Sequence, residues 1–273
     1  MTYFGVLTIF ILPPLLALVA LVPRDLWHRL FRRTGPVNWL AYAAVVLHVV
    51  IAVVYTTPWD NYLVANRVWW YDPELVTGIT LGWVPIEEYT FFVVQSLLTG
   101  LWTLALLRSV FTAPENVAAG RNLRRTSALL VLGLWLVSVA LLVSSWTPGR
   151  YLALILVWGL PPVLVQVWFG ADILRAHWRL LALAISLPTL YLWLVDALAI
   201  NSGTWTIDPA QTTGLKLWVL PIEEMLFFLI TNVLLVFGVT LVLSPESQRR
   251  LRDLVTNFKR IDLPAKENGP AAT

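Results

Sequence analysis

Two short phrases set adjacent glutamates in apolar sequence: VPIEEYTFF (Val84–Phe92) and LPIEEMLFF (Leu220–Phe228). On a helix, side chains four residues apart share a face. That pairs Glu87 with Phe91, Glu88 with Phe92, Glu223 with Phe227 and Glu224 with Phe228. A carboxyl withdrawn from water keeps its proton near neutral pH, and a second acid beside it strengthens the effect. A protonated carboxyl is a general acid. Aromatic faces stabilise a cation, and a dry site protects a carbocation from water. Proton delivery, a held cation and proton removal describe acid-initiated cyclisation or isomerisation of an alkene. The plainer alternative is that glutamates near a helix start only favour the positive end of the helix dipole, with Pro85 and Pro221 tolerated in the first turn. The duplication and the apolar setting favour the chemical reading. Glu87 and Glu223 are expected as the primary acids, with Glu88 and Glu224 tuning them or relaying protons. Asp60 and Asp196, at the ends of two apolar runs, either orient a glutamate or mark the water boundary. Of the 15 tryptophans, Trp69, Trp83 and Trp205 lie nearest the acids, and most others read as interfacial anchors.

The elements that must position these groups are membrane-spanning helices. The chain is 58% apolar and 13% charged, with mean hydropathy +0.74, whereas soluble domains are about 25% charged. Several apolar runs reach the roughly 20 residues that cross a ~30 Å hydrocarbon core. The fold class is therefore all-α and polytopic, with seven spans expected at 3–22, 38–56, 84–107, 126–146, 150–170, 179–200 and 217–243. The first of these, with no basic leader or small-residue cleavage site, reads as a retained helix. The first, third and fifth loops hold ten basic residues (Arg24, Arg29, Arg32, Arg33, Arg108, Arg121, Arg124, Arg125, Arg175 and Arg179). The second, fourth and sixth hold three: Arg67, Arg150 and Lys216. This bias predicts a cell-membrane protein with its amino end outside and its carboxyl end in the cytoplasm. It also explains the basic pI without a nucleic-acid partner. From Ser244 the tail reads as a short amphipathic piece and then a disordered end. The absence of cysteine excludes disulfides, thiolate nucleophiles and Fe–S centres. His28, His48 and His177 show no metal-ligand spacing, and His48 reads as a hydrogen-bonded packing residue. Pro13-Pro14 and Pro161-Pro162 are expected to kink spans one and five, either opening a groove or only adjusting packing.

The chain also repeats itself. An offset of 136 residues superimposes the two glutamate phrases without a gap, and with them Asp60 on Asp196, Trp69 on Trp205, Asp72-Pro73 on Asp208-Pro209, and Thr77-Gly78 on Thr213-Gly214. Upstream, Leu12–Leu16 matches Leu160–Leu164 after a shorter loop. Each repeat then holds three helices, at 1–115 and 149–243. A linking helix occupies 116–148 and a tail 244–273. Three helices reverse the chain direction and one more restores it. The repeats are therefore expected to be parallel, with both glutamate phrases facing one cavity.

The doubled P-x-E-E phrase on three-helix units resembles the heterodimer-type lycopene cyclases, whose two halves are separate polypeptides in some bacteria and fused in others, in archaea and in fungi. The resemblance covers residues 1–243 and implies a fused form. It implies a lycopene β-cyclase of carotenoid biosynthesis. A proton is added at C2 of an acyclic ψ-end, the C1 cation closes onto the chain, and proton loss leaves a β-ionone ring. The implied motif acids are Glu87, Glu88, Glu223 and Glu224. The implied partners are lycopene and membrane lipid, with association among other carotenoid-biosynthesis enzymes as a further expectation. No cofactor is expected, since the G-x-G-x-x-G fingerprint of flavin-dependent cyclases is missing. Paired Asp-rich motifs of a prenyltransferase are missing too. A cyclase acting on another carotenoid or terpenoid, with ε- or γ-rings or a C50 chain, stays open. So does a small membrane transporter.

Overall fold

The computed structural model describes residues 1–30, 37–109, 117 and 120–261, with side chains at 1–21, 39–107, 117 and 120–256. It is mostly helical. Seven helical stretches are long and apolar enough to cross a membrane: Tyr3–Leu21, Trp39–Ala65, Ile86–Leu107, Arg121–Val143, Thr147–Ala176, Trp178–Asn201 and Ile222–Leu243. The first comprises α1 (Tyr3–Val6), a π-helical turn (Leu7–Ile11) and the start of α2 (Leu12–Leu30). The others are α3 (Val37–Ala65), α4 (Ile86–Ser109), α5 (Arg121–Val143), α6 (Arg150–Ala176), α7 (Trp178–Asn201) and α8 (Ile222–Leu243). An amphipathic α9 (Pro245–Ile261) follows. The disordered end expected beyond it lies outside the described residues.

Several boundaries depart from the hydropathy reading. Helix α3 continues through Pro58 to Ala65, past the end expected at residue 56, so Asp60 sits inside a helix, whereas α7 ends at Asn201, close to the expected residue 200, with Asp196 inside it. In the turn before Pro58, the Thr57 hydroxyl donates to the Val53 carbonyl (2.6 Å). The seventh span begins at Ile222, not at residue 217, because the preceding residues form strands. Proline disfavours helical geometry in the residue before it, and Val84–Pro85 and Leu220–Pro221 are extended. They close two matching hairpins, β2 (Thr80–Leu81) with β3 (Val84–Pro85) and β5 (Lys216–Leu217) with β6 (Leu220–Pro221). Their turns need a left-handed residue. Gly82 supplies it in one (φ 70°), and Trp218 adopts it without being glycine in the other (φ 57°). The prolines also act differently from expectation. The first span is distorted into a π-turn just ahead of Pro13, whereas α6 runs through Pro161 and Pro162 and leaves helical geometry at Gly170.

The helices are not equally buried. In α4 and α8, 61% and 56% of the span is buried, against 11% for α5. Helices α4 and α8 therefore form the centre and α5 the periphery, packed on α6. A buried polar knot joins the central helices. Asn232 Oδ1 accepts from Thr99 Oγ1 (2.7 Å) and Gln95 Nε2 (3.2 Å), while its Nδ2 donates to Thr189 on α7 (2.9 Å). At one end of the bundle, an antiparallel ribbon links the segment after α3 to the segment after α7. Strand β1 (Trp69–Tyr71) pairs with β4 (Trp205–Ile207), with Trp69 opposite Ile207 and Tyr71 opposite Trp205. These ties gather the glutamate phrases, the two aspartates and both tryptophans at one end of the bundle.

Candidate active site

The glutamates divide by their partners. Glu87 Oε1 accepts from the Thr77 amide (2.6 Å) and Glu223 Oε1 from the Thr213 amide (2.7 Å) and hydroxyl (2.7 Å). Each threonine precedes a left-handed glycine, Gly78 (φ 77°) or Gly214 (φ 79°), which turns the loop so that its amide faces the acid. Glu87 and Glu223 are fully buried, but in loop-bracing positions. Glu88 and Glu224, one residue on, point inward instead. Tyr3 O–H donates to Glu88 Oε2, and Tyr71 O–H donates to the same oxygen (3.1 Å). Tyr151 O–H donates to Glu224 Oε1 (2.5 Å).

Around these two acids the structure closes a cage. Asp60 from α3 and Asp196 from α7 complete a set of four carboxyl groups. Phe91 and Phe92 on α4 and Phe227 and Phe228 on α8 form one wall, with Phe91 edge-on to Phe228 (6.1 Å, 87°). Each half lends a ring to the other: Tyr3 lies against Trp205 (4.9 Å) and Tyr151 against Trp69 (5.4 Å). Trp59 stacks on Phe227 (5.7 Å), and beyond the cage on Trp158 (4.6 Å). The space left is small, ≈ 40 Å³, room for about one water molecule. No lysine or arginine is among the lining residues. Four ionised carboxylates would meet no counter-charge there, and a buried unpaired charge is costly. The cage therefore suits protons shared among acids and phenols. Tyr71, on β1 outside the spans, has its phenol pushed well up by burial and then by the neighbouring Glu88 and Asp60, which keeps it a donor.

Of the residues singled out in the sequence, Glu88, Glu224, Asp60, Asp196, Phe91, Phe92, Phe227, Phe228, Trp69 and Trp205 line this cage together. Glu87 and Glu223, expected as the primary acids, are not among the lining residues. Pro85 and Pro221 end the hairpin strands that aim the glutamates. Trp83 is 67% exposed and stands apart. His48 Nδ1 lies 2.7 Å from the Ala44 carbonyl. The sequence reading missed Tyr3, Tyr71, Tyr151 and Trp59. A signal existed for two of them: the match of Leu12–Leu16 to Leu160–Leu164, carried back to the chain start, places Tyr3 on Tyr151. Tyr71 and Trp59 fall on Ile207 and Val195, where the repeat breaks, and nothing marks them.

A second, larger cavity of ≈ 320 Å³ adjoins the cage and shares Phe91, Phe92 and Phe227 with it. Its rim includes the exposed Ile51 and Tyr55 of α3 and Val165 of α6. It is therefore a largely apolar groove opening between those two helices on the side of the bundle.

The family model described as lycopene cyclase matches residues 1–107 and 148–243. Curated relatives include the bifunctional lycopene cyclase/phytoene synthase of Gibberella fujikuroi, 39% identical over 197 residues (71% of this chain, 34% of the relative). The protein of the same name from Leptosphaeria maculans is 42% identical over 206 residues (71% and 35%). That from Podospora anserina is 35% identical over 236 residues (82% and 37%). The chain spans about a third of the length of these relatives. No solved structure matches. The chain belongs to the lycopene cyclase family.

Proposed function

We propose that this member of the lycopene cyclase family closes the acyclic ψ-ends of lycopene into β-ionone rings, a redox-neutral isomerisation. One observation carries the proposal: four carboxyl groups, Asp60, Asp196 and Glu224 buried and Glu88 partly buried, converge in an aromatic cage whose lining holds no basic side chain. A carboxyl proton adds to C2 of the ψ-end, and the C1 cation that forms is held against the aromatic faces. The C5–C6 double bond attacks C1, moving the cation to C5, and loss of the C6 proton to a carboxylate leaves the ring. The acid consumed and the base protonated are both carboxyl groups, so proton exchange through the phenols resets the site. We assign proton delivery to Asp60, whose two oxygens have no hydrogen-bond partner among the described residues and which lines the cavity. We assign proton removal to Glu88, whose Oε2 already accepts from two phenols. The polyene body of the substrate lies in the groove beside the cage, and the ψ-end reaches the acids as the shared phenylalanines turn.

The same reading includes the architecture: two parallel three-helix repeats, 1–115 and 149–243, joined by a linking helix in 116–148, with the amino end outside and the carboxyl end in the cytoplasm. The peripheral place of α5 supports it, as does a family match that skips residues 108–147. Expression in a lycopene-accumulating bacterium tests the activity. Cyclic pigment is the expected product, and purified protein in lipid should form it without added reduced flavin or nicotinamide. Unchanged lycopene in cells that contain inserted protein would overturn the proposal. For the architecture, reporters fused near Arg121 and Asp208 should fall on opposite sides of the membrane.

A further inference from the structure

We propose that the groove between α5, α6 and α9 binds an anionic phospholipid. This groove, ≈ 800 Å³ in volume, is separate from the cage and from the polyene groove. Its polar end holds four guanidinium groups, Arg121, Arg124 and Arg125 from the start of α5 and Arg250 from α9. Its walls are apolar, with Leu129 from α5 (67% exposed) and Trp168 from α6 (72% exposed) facing outward along the spans. Charge gathered at one end of a greasy trough has the polarity of a phospholipid, a phosphate above acyl chains.

The polar end is built and not incidental. Asp172 of α6 is buried, and both its oxygens accept from Arg250, Oδ1 from Nη1 (2.9 Å) and Oδ2 from Nη2 (2.7 Å). It also accepts from the Gly120 amide (3.0 Å), at the threshold of α5, and lies 3.8 Å from Arg124 Nε. Arg250 donates in addition to the Phe169 carbonyl (3.0 Å) and to Glu246 (3.1 Å). One buried carboxylate thus locks α5, α6 and α9 into a corner. Asp253 is the only acid among the groove's lining residues. Arg121 and Arg125 are exposed at its mouth and leave it with a positive excess. A neutral isoprenoid has no group that would answer this charge, whereas a phosphodiester takes guanidinium hydrogen bonds in a fitted pair. Acyl chains lying along Leu129 and Trp168 would cover α5, the span with the least protein around it.

The test uses the full chain in lipid vesicles carrying brominated acyl chains, either on phosphatidylglycerol or on phosphatidylcholine. Bromine quenches nearby indole fluorescence, and the part due to Trp168 is the difference from a Trp168→Phe variant. Phosphatidylglycerol should quench Trp168 at about a tenth of the mole fraction that phosphatidylcholine needs, an effect of the order expected for two basic side chains at a phosphate. The Arg121→Gln/Arg125→Gln double variant, changed only at exposed positions, should lose that preference and keep its circular dichroism. Equal quenching by the two lipids overturns the proposal, and would fit a groove filled by another part of the chain or by lipid without selection. A preference that survives the double substitution overturns it too. Relief of quenching by millimolar inorganic phosphate would also overturn it, by pointing to a small-anion site.

Discussion

The cage is assembled from two halves that agree almost residue for residue and differ at two positions. Tyr3, Asp60, Trp69, Glu88, Phe91 and Phe92 face Tyr151, Asp196, Trp205, Glu224, Phe227 and Phe228. Where the first half has Tyr71, the second has Ile207; where it has Trp59, the second has Val195. The first difference rewires the hydrogen bonds. In the second half the Trp205 indole N–H donates to Asp196 Oδ1 (2.9 Å). In the first half the equivalent Trp69 N–H donates to the Tyr71 hydroxyl (3.2 Å), which passes its own proton toward Glu88. Asp60 is left without the partner that Asp196 has. Both groups assigned above to proton transfer, Asp60 and Glu88, lie in the half that carries the extra phenol. One substituted phenol gives the two halves different hydrogen bonds around matching carboxyl groups.

The strongest way to break this comparison is to exchange acids in one half at a time. Asp60→Asn and Glu88→Gln should each lower cyclic-pigment yield per inserted protein by roughly 10²–10⁴. Asp196→Asn and Glu224→Gln should cost on the order of tenfold, because the amide oxygen still accepts from Trp205 or Tyr151 but holds the cage more weakly than a carboxyl group. Equal losses from both halves would end the division of labour. The phenols sharpen the point at smaller scale. Tyr151→Phe removes the one phenol on Glu224 and should slow turnover on the order of tenfold, whereas Tyr3→Phe leaves Tyr71 on Glu88 and should cost only a few-fold. Rates measured in lipid-reconstituted protein would decide, and a Tyr3→Phe defect larger than that of Tyr151→Phe would contradict the assigned network.

The loop-bracing glutamates provide the smallest effect. If Glu87 and Glu223 only brace their loops, Glu87→Gln and Glu223→Gln should lower thermal stability by about 0.5–2 kcal/mol, with turnover per folded molecule within roughly twofold. Glu223→Gln should be the worse of the two, since Glu223 holds both the amide and the hydroxyl of Thr213 and Glu87 only the amide of Thr77. Thermal unfolding alongside single-turnover assays separates the two quantities. A hundredfold loss of turnover in a stably folded Glu87→Gln would return that residue to the chemistry.

By itself, the sequence determined the membrane class, the seven apolar stretches and most of the cage. Hydropathy is a sum over neighbouring residues, and a repeat is a comparison of strings, so neither needs coordinates. Asp60 with Asp196, Trp69 with Trp205 and the doubled Phe-Phe pairs were visible because both halves carry them. Three things required the tertiary structure. Adjacent glutamates differ by about 100° around a helix, and only the threonine loops decide which one is held against a loop and which faces the cage. The end of α3 depended on whether the turn around Pro58 held, and on its holding rests the burial of Asp60. Tyr71 and Trp59 occur once, so no internal comparison marks them. Their meaning comes from the β1–β4 ribbon and from the stacking of α3 on α8, contacts between residues more than a hundred positions apart in the chain.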